Sequence, residues 1–274
     1  MYKRQLLPFV ADALRLAPEK ATVVASVRRS LHRPLEAGVL DLGNPHSPNF
    51  ERLAEAGPDL IVADRQVHAA IAPRLEALGA ELRLIDTAGI DATLDSLRAL
   101  SERIGGSEAL ESRITAVRQS ISAAPLDAEV KVLPLFGAPG SFYAVTDRAW
   151  LGQLVRDLGF ENLAPTDGDE RFPGLVVVSD EVISTLDPDM VVLVAHGDPR
   201  KIRADLASRT AAGGAWTTLS RAARGIHVLD PRLFSANPGL ELDRAAETLV
   251  ALASGETAST PAPLPPVGSG PHAR

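Results

Sequence analysis

The chain has 274 residues, 45% apolar and 23% charged, the profile of a globular protein long enough for two lobes of ordinary size. A net charge of −7 excludes a nucleic-acid partner, because the surface could not neutralise phosphates. The lack of cysteine excludes disulfides, thiolate metal sites, cysteine nucleophiles and a lipid-bearing cysteine within these residues. No apolar run approaches the roughly 20 residues that cross a bilayer.

Met1-Tyr2-Lys3-Arg4-Gln5 reads as the translation of a sequencing-adapter end, so the chain is expected to be cut from a longer gene. Beyond it, short apolar runs alternate with amphipathic helices, which predicts an α/β fold. The predicted strands are Thr22–Ala25, Leu60–Ala63, Leu82–Ile85, Val130–Leu135, Leu175–Val178, Met190–Ala195 and Ile226–Leu229. Several are near-continuous Val, Ile and Leu, as in strands covered on both faces. Ala92–Ile104 carries Leu94, Leu97, Leu100 and Ile104 on one helical face. After Gly105-Gly106, Ser107 is the predicted N-cap of a second helix, with Glu108 and Glu111 suited to its positive end. Leu110, Ile114, Val117 and Ile121 then recur at helical spacing until Pro125. Such a helix is roughly 25 Å long, enough to bridge two lobes. From Gly255 to Arg274 the chain is rich in Pro, Ser, Thr and Gly and is expected to be a disordered tail.

One pattern occurs twice. Glu51 stands seven residues before Pro58-Asp59 and the apolar run Leu60-Ile61-Val62; Glu181 stands seven before Pro188-Asp189 and Met190-Val191-Val192. The physical reading is a short helix ended by Pro, an Asp that caps local backbone donors, and a buried parallel strand. Matched spacing in matched context points to two similar lobes.

At these residues the chain resembles the substrate-binding proteins of ABC importers for iron-siderophores, haem and cobalamin. Gly43-Asn44-Pro45-His46-Ser47-Pro48-Asn49-Phe50-Glu51-Arg52-Leu53 is similar to the signature of that family. So are Trp150-Leu151-Gly152 through Leu158-Gly159-Phe160-Glu161-Asn162, Ser179-Asp180-Glu181, and the run from Trp216-Thr217-Thr218-Leu219 to Arg224-Gly225 and Val228. The resemblance covers about residues 20 to 252. It implies two α/β lobes with mainly parallel sheets, joined by one long helix, with the ligand in the cleft between them. Residues 1–106 would form the first lobe, 107–125 the linking helix, 126–254 the second lobe and 255–274 the tail. The family's first strand is expected to be missing here, or replaced by Met1–Gln5. Pro45 and His46 stand where hydroxamate binders carry an arginine, which points away from ferric hydroxamates.

The resemblance further implies a monomeric carrier, periplasmic or at the cell surface. It would hold no cofactor, capture a small metal chelate and deliver it to a permease and its ATPase. Glu51 and Glu181 match the family's permease-docking carboxylates. In α/β lobes ligands lie at the carboxyl ends of strands. Reading past those ends selects Arg28, Arg29, Asn44, His46, Arg65 and His68 in the first lobe. In the second it selects Phe142, Tyr143, Arg148, Arg171, Phe172, His196, Arg232 and Phe234. Of these, His46, Arg65, His68, Tyr143, Arg148, Phe172, His196 and Phe234 are taken as ligand-binding. Arginines would pair with anionic groups, rings would pack on a large flat ligand, and His or Tyr could ligate a metal centre.

The enzyme signatures G-x-S-x-G, G-x-G-x-x-G and H-E-x-x-H are absent, as is a phosphate-binding lysine loop. Ser141 reads as a turn residue and Asp167-Gly168-Asp169-Glu170 as a solvated turn. Two alternatives stay open: a two-lobed tetrapyrrole chelatase using His196, and a binding protein for a free metal ion.

Overall fold

The computed structural model describes residues 2–5, 7–17, 21–27, 35, 37–45, 47–124, 130–138, 140–166 and 170–255. The first lobe runs through β1 (Tyr2–Gln5), α1 (Pro8–Arg15), β2 (Thr22–Ser26), β3 (Leu40–Asp41), the small ladder of β4 (Gly43–Asn44) with β5 (Ser47–Pro48), α2 (Phe50–Glu55), β6 (Leu60–Asp64), α3 (Ala72–Glu76), β7 (Glu81–Ile85) and α4 (Ile90–Arg103). Its five-stranded sheet has the order β3-β2-β1-β6-β7, and every pairing is parallel. A strand therefore opens the first lobe and is formed by Tyr2–Gln5, the second of the two expectations for this segment. Tyr2–Gln5 lies at the centre of the sheet, with Lys3 opposite Leu60 and Gln5 opposite Val62. Ladder bonds are made by backbone groups, so four non-proline residues of any kind can fill the gap between β2 and β6.

The second lobe contains β8 (Lys131–Ala138), β9 (Ser141–Val145), α6 (Trp150–Asp157), β10 (Glu161–Asn162), β11 (Glu170–Phe172), β12 (Leu175–Val177), α7 (Asp180–Thr185), β13 (Met190–Ala195), α8 (Pro199–Thr210), β14 (Ile226–Val228), α9 (Pro231–Phe234) and α10 (Leu242–Ala253). Strand β13 is parallel to both β8 and β14, while β9, β12 and β11 continue the sheet antiparallel to one another. Ser141 begins β9 and pairs with Ala138, so β8 and β9 form an antiparallel hairpin where the sequence reads only a turn.

Between the lobes stands α5 (Glu108–Ser122). Gly105 and Gly106 both have positive φ, 94° and 74°, which reverses the chain sharply after α4. Ser107 caps α5 by accepting from the Leu110 amide at 3.3 Å, and its hydroxyl donates to the Leu16 carbonyl at 2.6 Å. Leu110, Ile114, Val117 and Ile121 are buried in one apolar core with Phe9 and Leu14 of α1, Leu94 and Leu97 of α4, Leu154 of α6 and Leu249 of α10. Arg113 makes a bidentate pair with Asp243 of α10, both N···O distances being 2.8 Å, and donates to the Leu240 carbonyl at 2.5 Å. Two smaller cores fill the other faces of the sheets. In the first lobe Arg103, at the end of α4, bonds Glu81 at the start of β7 and holds its carboxyl below the usual range.

The segment from Trp150 to Asn162 shows why its residue types matter. A Cβ on Gly152 would stand 2.1 Å from the Thr146 carbonyl oxygen. Asn162 donates to the Val145 carbonyl at 3.0 Å and to Asp147 at 2.8 Å, fastening β10 to the end of β9. Gly152→Ala is therefore expected to destabilise by about 1–3 kcal/mol through overpacking. In an open helix the same change would stabilise by roughly 1 kcal/mol. Thermal unfolding decides the sign: a Tm at or above the parent's would show that the α6 contact can give way.

Candidate functional site

Strand β8 alternates between two cores. Leu133 and Leu135 belong to the outer one and Val132 to the interlobe core, against which Phe136 packs, half-buried. Residues paired across the sheet continue that face: Phe136 stands opposite Tyr143, and Tyr143 opposite Val177. The face emerges from the core as it goes, since Val177 is 45% exposed and Phe172, on β11, 54%. The imidazole of His196, just past β13, stacks on Phe136 with centroids 5.4 Å apart and planes at 28°. Tyr143 lies 6.4 Å from Phe136 on one side and 6.4 Å from Phe172 on the other, where it meets the ring edge-on at 75°. His196, Phe136, Tyr143 and Phe172 thus form a continuous ladder of rings on one wall. Of the candidates, the structure brings together Tyr143, Phe172 and His196, and adds Phe136, which was not among them.

The first lobe presents a turn at the carboxyl end of β6. Asp64 is buried; its Oδ1 accepts from the amides of Gln66 and Val67, each at 2.8 Å, and its Oδ2 accepts from the Thr87 hydroxyl. The turn leaves Arg65 exposed and Val67 46% exposed. The Arg65 guanidinium donates to the Leu84 carbonyl at 3.3 Å and has no carboxylate partner among the described residues.

Several candidates are placed elsewhere. His68 is buried: its Nδ1 accepts from the Asp64 amide at 2.9 Å, so the proton is on Nε2 and goes to the Pro45 carbonyl at 2.8 Å. Both ring nitrogens serve the backbone, and the residue holds the turn together from behind. Phe234 is 1% exposed and stacks on Trp150 at 6.0 Å, so it is a core side chain. Phe142 faces the outer core, edge-on to Trp216 at 5.1 Å. Arg148 is exposed in the turn after β9; because β9 runs antiparallel to β8, the chain there has left the hairpin loop behind. Arg232 pairs with Asp230 at 2.6 Å, and Asn44 is exposed in β4. Arg28, Arg29 and His46 lie outside the described residues, as do residues 167–169 and 256–274. After the parallel strands β6, β13 and β14 the strand-end rule selects the exposed Arg65 and the ring of His196, but also the buried His68 and Phe234. Among the described residues no group of three or more His, Asp or Glu could hold a metal ion, and no helix is long and apolar enough to cross a membrane.

The repeated pattern forms the same elements in both lobes, although Asp189 accepts from the distant Lys131 amide of β8 at 2.9 Å and not from a local donor. Asn49 caps α2 by accepting from the Arg52 amide at 3.0 Å, and Ser179 caps α7 by accepting from the Val182 amide at 3.2 Å. Glu51 and Glu181 are each the second residue of their helix, exposed, where a carboxylate favours the positive end. Leu53 and Ile183, two residues on, are the fully buried anchors. Each helix leads through Pro-Asp into a buried parallel strand, β6 or β13.

Residues 16–213 match the family described as periplasmic binding protein. A curated relative, the high-affinity heme uptake system protein IsdE of Staphylococcus aureus (strain Newman), is 25% identical over 170 residues. That alignment spans 60% of this chain and 57% of the relative's length. The crystal structure of S. aureus IsdE complexed with heme superposes with a TM-score of 0.77 at 19% identity, covering 92% of this chain and 98% of that one. The triscatecholate siderophore binding protein FeuA of Bacillus subtilis, complexed with ferri-bacillibactin, gives a TM-score of 0.74 at 15% identity, with 93% and 92% covered. With the family match spanning well over half of its length, the chain belongs to the periplasmic binding proteins.

Proposed function

We propose that this chain is the extracytoplasmic substrate-binding component of an ABC importer and captures a flat, conjugated iron chelate, haem or an aromatic siderophore, in the cleft between its lobes. The observation that carries this reading is the ladder of His196, Phe136, Tyr143 and Phe172. Four rings on one wall match an extended π-surface, and the imidazole brings a nitrogen of the kind that ligates iron. Arg65 on the other lobe supplies a cation for acidic side groups of the chelate. In this reading residues 1–106 and 126–254 are the lobes, 107–125 the link, and the protein acts as a monomer with a permease and its ATPase. Two solved structures of this fold, IsdE complexed with heme and FeuA complexed with ferri-bacillibactin, support the ligand class.

Titration of the purified protein with haemin and with a ferric catecholate, read by absorbance, is expected to show saturable one-to-one binding without turnover. Tyr143→Ala is expected to weaken it roughly tenfold, the scale of one lost ring contact. Conversion of a metal-free porphyrin and a divalent metal to product would favour the chelatase instead. Binding untouched in both Tyr143→Ala and His196→Ala would place the ligand off this wall.

Stability should separate the two residues of the first-lobe turn. His68→Ala removes both backbone partners of a buried ring and is expected to cost about 1–3 kcal/mol. Arg65→Ala should change stability by less than about 0.5 kcal/mol while weakening the chelate. Urea unfolding curves of both variants check this, and equal stability losses would contradict the assignment.

We further propose that Glu51 and Glu181 dock the carrier on the permease. Their equal placement on equivalent helices of the two lobes supports this, because two separated carboxylates fix orientation where one could not. Glu51→Arg combined with Glu181→Arg is expected to leave folding and ligand affinity intact and to abolish stimulation of the importer's ATPase. Full stimulation by the double variant would leave those residues a helix-end role only.

A further inference from the structure

We infer that Asn237 is a positioning residue that ties the Arg65–Val67 turn of the first lobe to the second lobe through Thr87 and Asp64. The side chain of Asn237 is buried and uses both ends. Its Nδ2 donates to the Thr87 carbonyl at 3.1 Å and to the Thr93 hydroxyl oxygen at 2.7 Å, across 150 and 144 residues of sequence. Its Oδ1 accepts from the Gly239 amide at 2.9 Å, which fixes the amide's orientation. Thr93 is itself aimed by its hydroxyl, which donates to the Gly89 carbonyl at 2.6 Å. The path then runs along one residue: the backbone of Thr87 is held by Asn237, and its hydroxyl donates to Asp64. The other oxygen of Asp64 takes the amides of Gln66 and Val67. Every step is a directional bond, and the side chains that carry it, Asn237, Thr93, Thr87 and Asp64, are buried or half-buried, so displacing Thr87 disturbs the carboxylate that shapes the turn.

What the turn carries gives the tie its purpose. It holds up an exposed guanidinium at Arg65 and an exposed apolar side chain at Val67. Packing alone could keep the lobes together, since the interlobe core is continuous. A directional link adds the angle at which this turn meets the opposite wall. The purpose rests on the reading of the cleft given above, whereas the link can be tested without any ligand.

Amide hydrogen exchange of the ligand-free full chain, resolved by residue, reads the link directly. Asn237→Asp keeps the oxygen that caps Gly239 and sets a second oxygen against the Thr87 carbonyl. Thr87→Val removes the hydroxyl bonded to Asp64. Each is expected to speed exchange at Gln66 and Val67 about tenfold, and the double variant is expected to be no faster than either alone, because both cut one path. Asn237→Ser, which also retains an oxygen near Gly239, serves if Asn237→Asp does not fold. A purely local role would confine the change to Gly239 and the start of α4; Gln66 and Val67 exchanging at the parent rate in the Asn237 variants would overturn the inference.

Discussion

The burial of one face of α5 is the constraint on which the rest of the molecule depends. Leu110, Ile114, Val117 and Ile121 each contribute roughly 1.5–3 kcal/mol by leaving water, and they leave it for a core drawn from both lobes. A linker of this kind differs from a hinge strand. Bending it would expose apolar surface along its length and break the bidentate pair of Arg113 with Asp243. The lobes are therefore two faces of a shared interior, and in our reading the cleft between them is formed before the ligand arrives.

Much of this was legible in the sequence because its signals are local. The α5 helix is announced by two glycines, a serine cap and a four-residue apolar stripe, and the Pro-Asp repeat marks β6 and β13 within a residue. The elements that went unread lack such marks. Strand β1 has no apolar pattern and is held by the neighbours it pairs with. Strand β9 was hidden by a turn reading at Ser141, although the spacing of Phe142, Ala144 and Tyr143, Val145 is that of a strand with two covered faces.

The site was harder to read, for a related reason. Proximity to a strand end selects residues by sequence, whereas a wall is assembled across strands. Phe136 directly follows the predicted strand end at Leu135, yet its place in the wall comes from β8 continuing to Ala138; two residues from Pro134 and four from Val132, it shares their face. His68 and Phe234 looked like ligand groups by type and position, yet one serves two backbone atoms and the other stacks on Trp150. Nothing in a histidine's neighbours in sequence tells which way its ring will turn. Tyr143, Phe172 and His196 meet only because β11, β12, β9, β8 and β13 are successive neighbours in the sheet.

The central claim is that the two lobes hold one arrangement, fixed by the helix they share. The chain has no cysteine, so Glu55→Cys on α2 and Ser184→Cys on α7, both at exposed positions, can carry one spin label on each lobe. Dipolar electron resonance of the doubly labelled protein should give a single narrow distance distribution that haemin leaves in place. A broad or two-peaked distribution, or one that moves to shorter distance when haemin is added, would contradict the account and make the link a hinge.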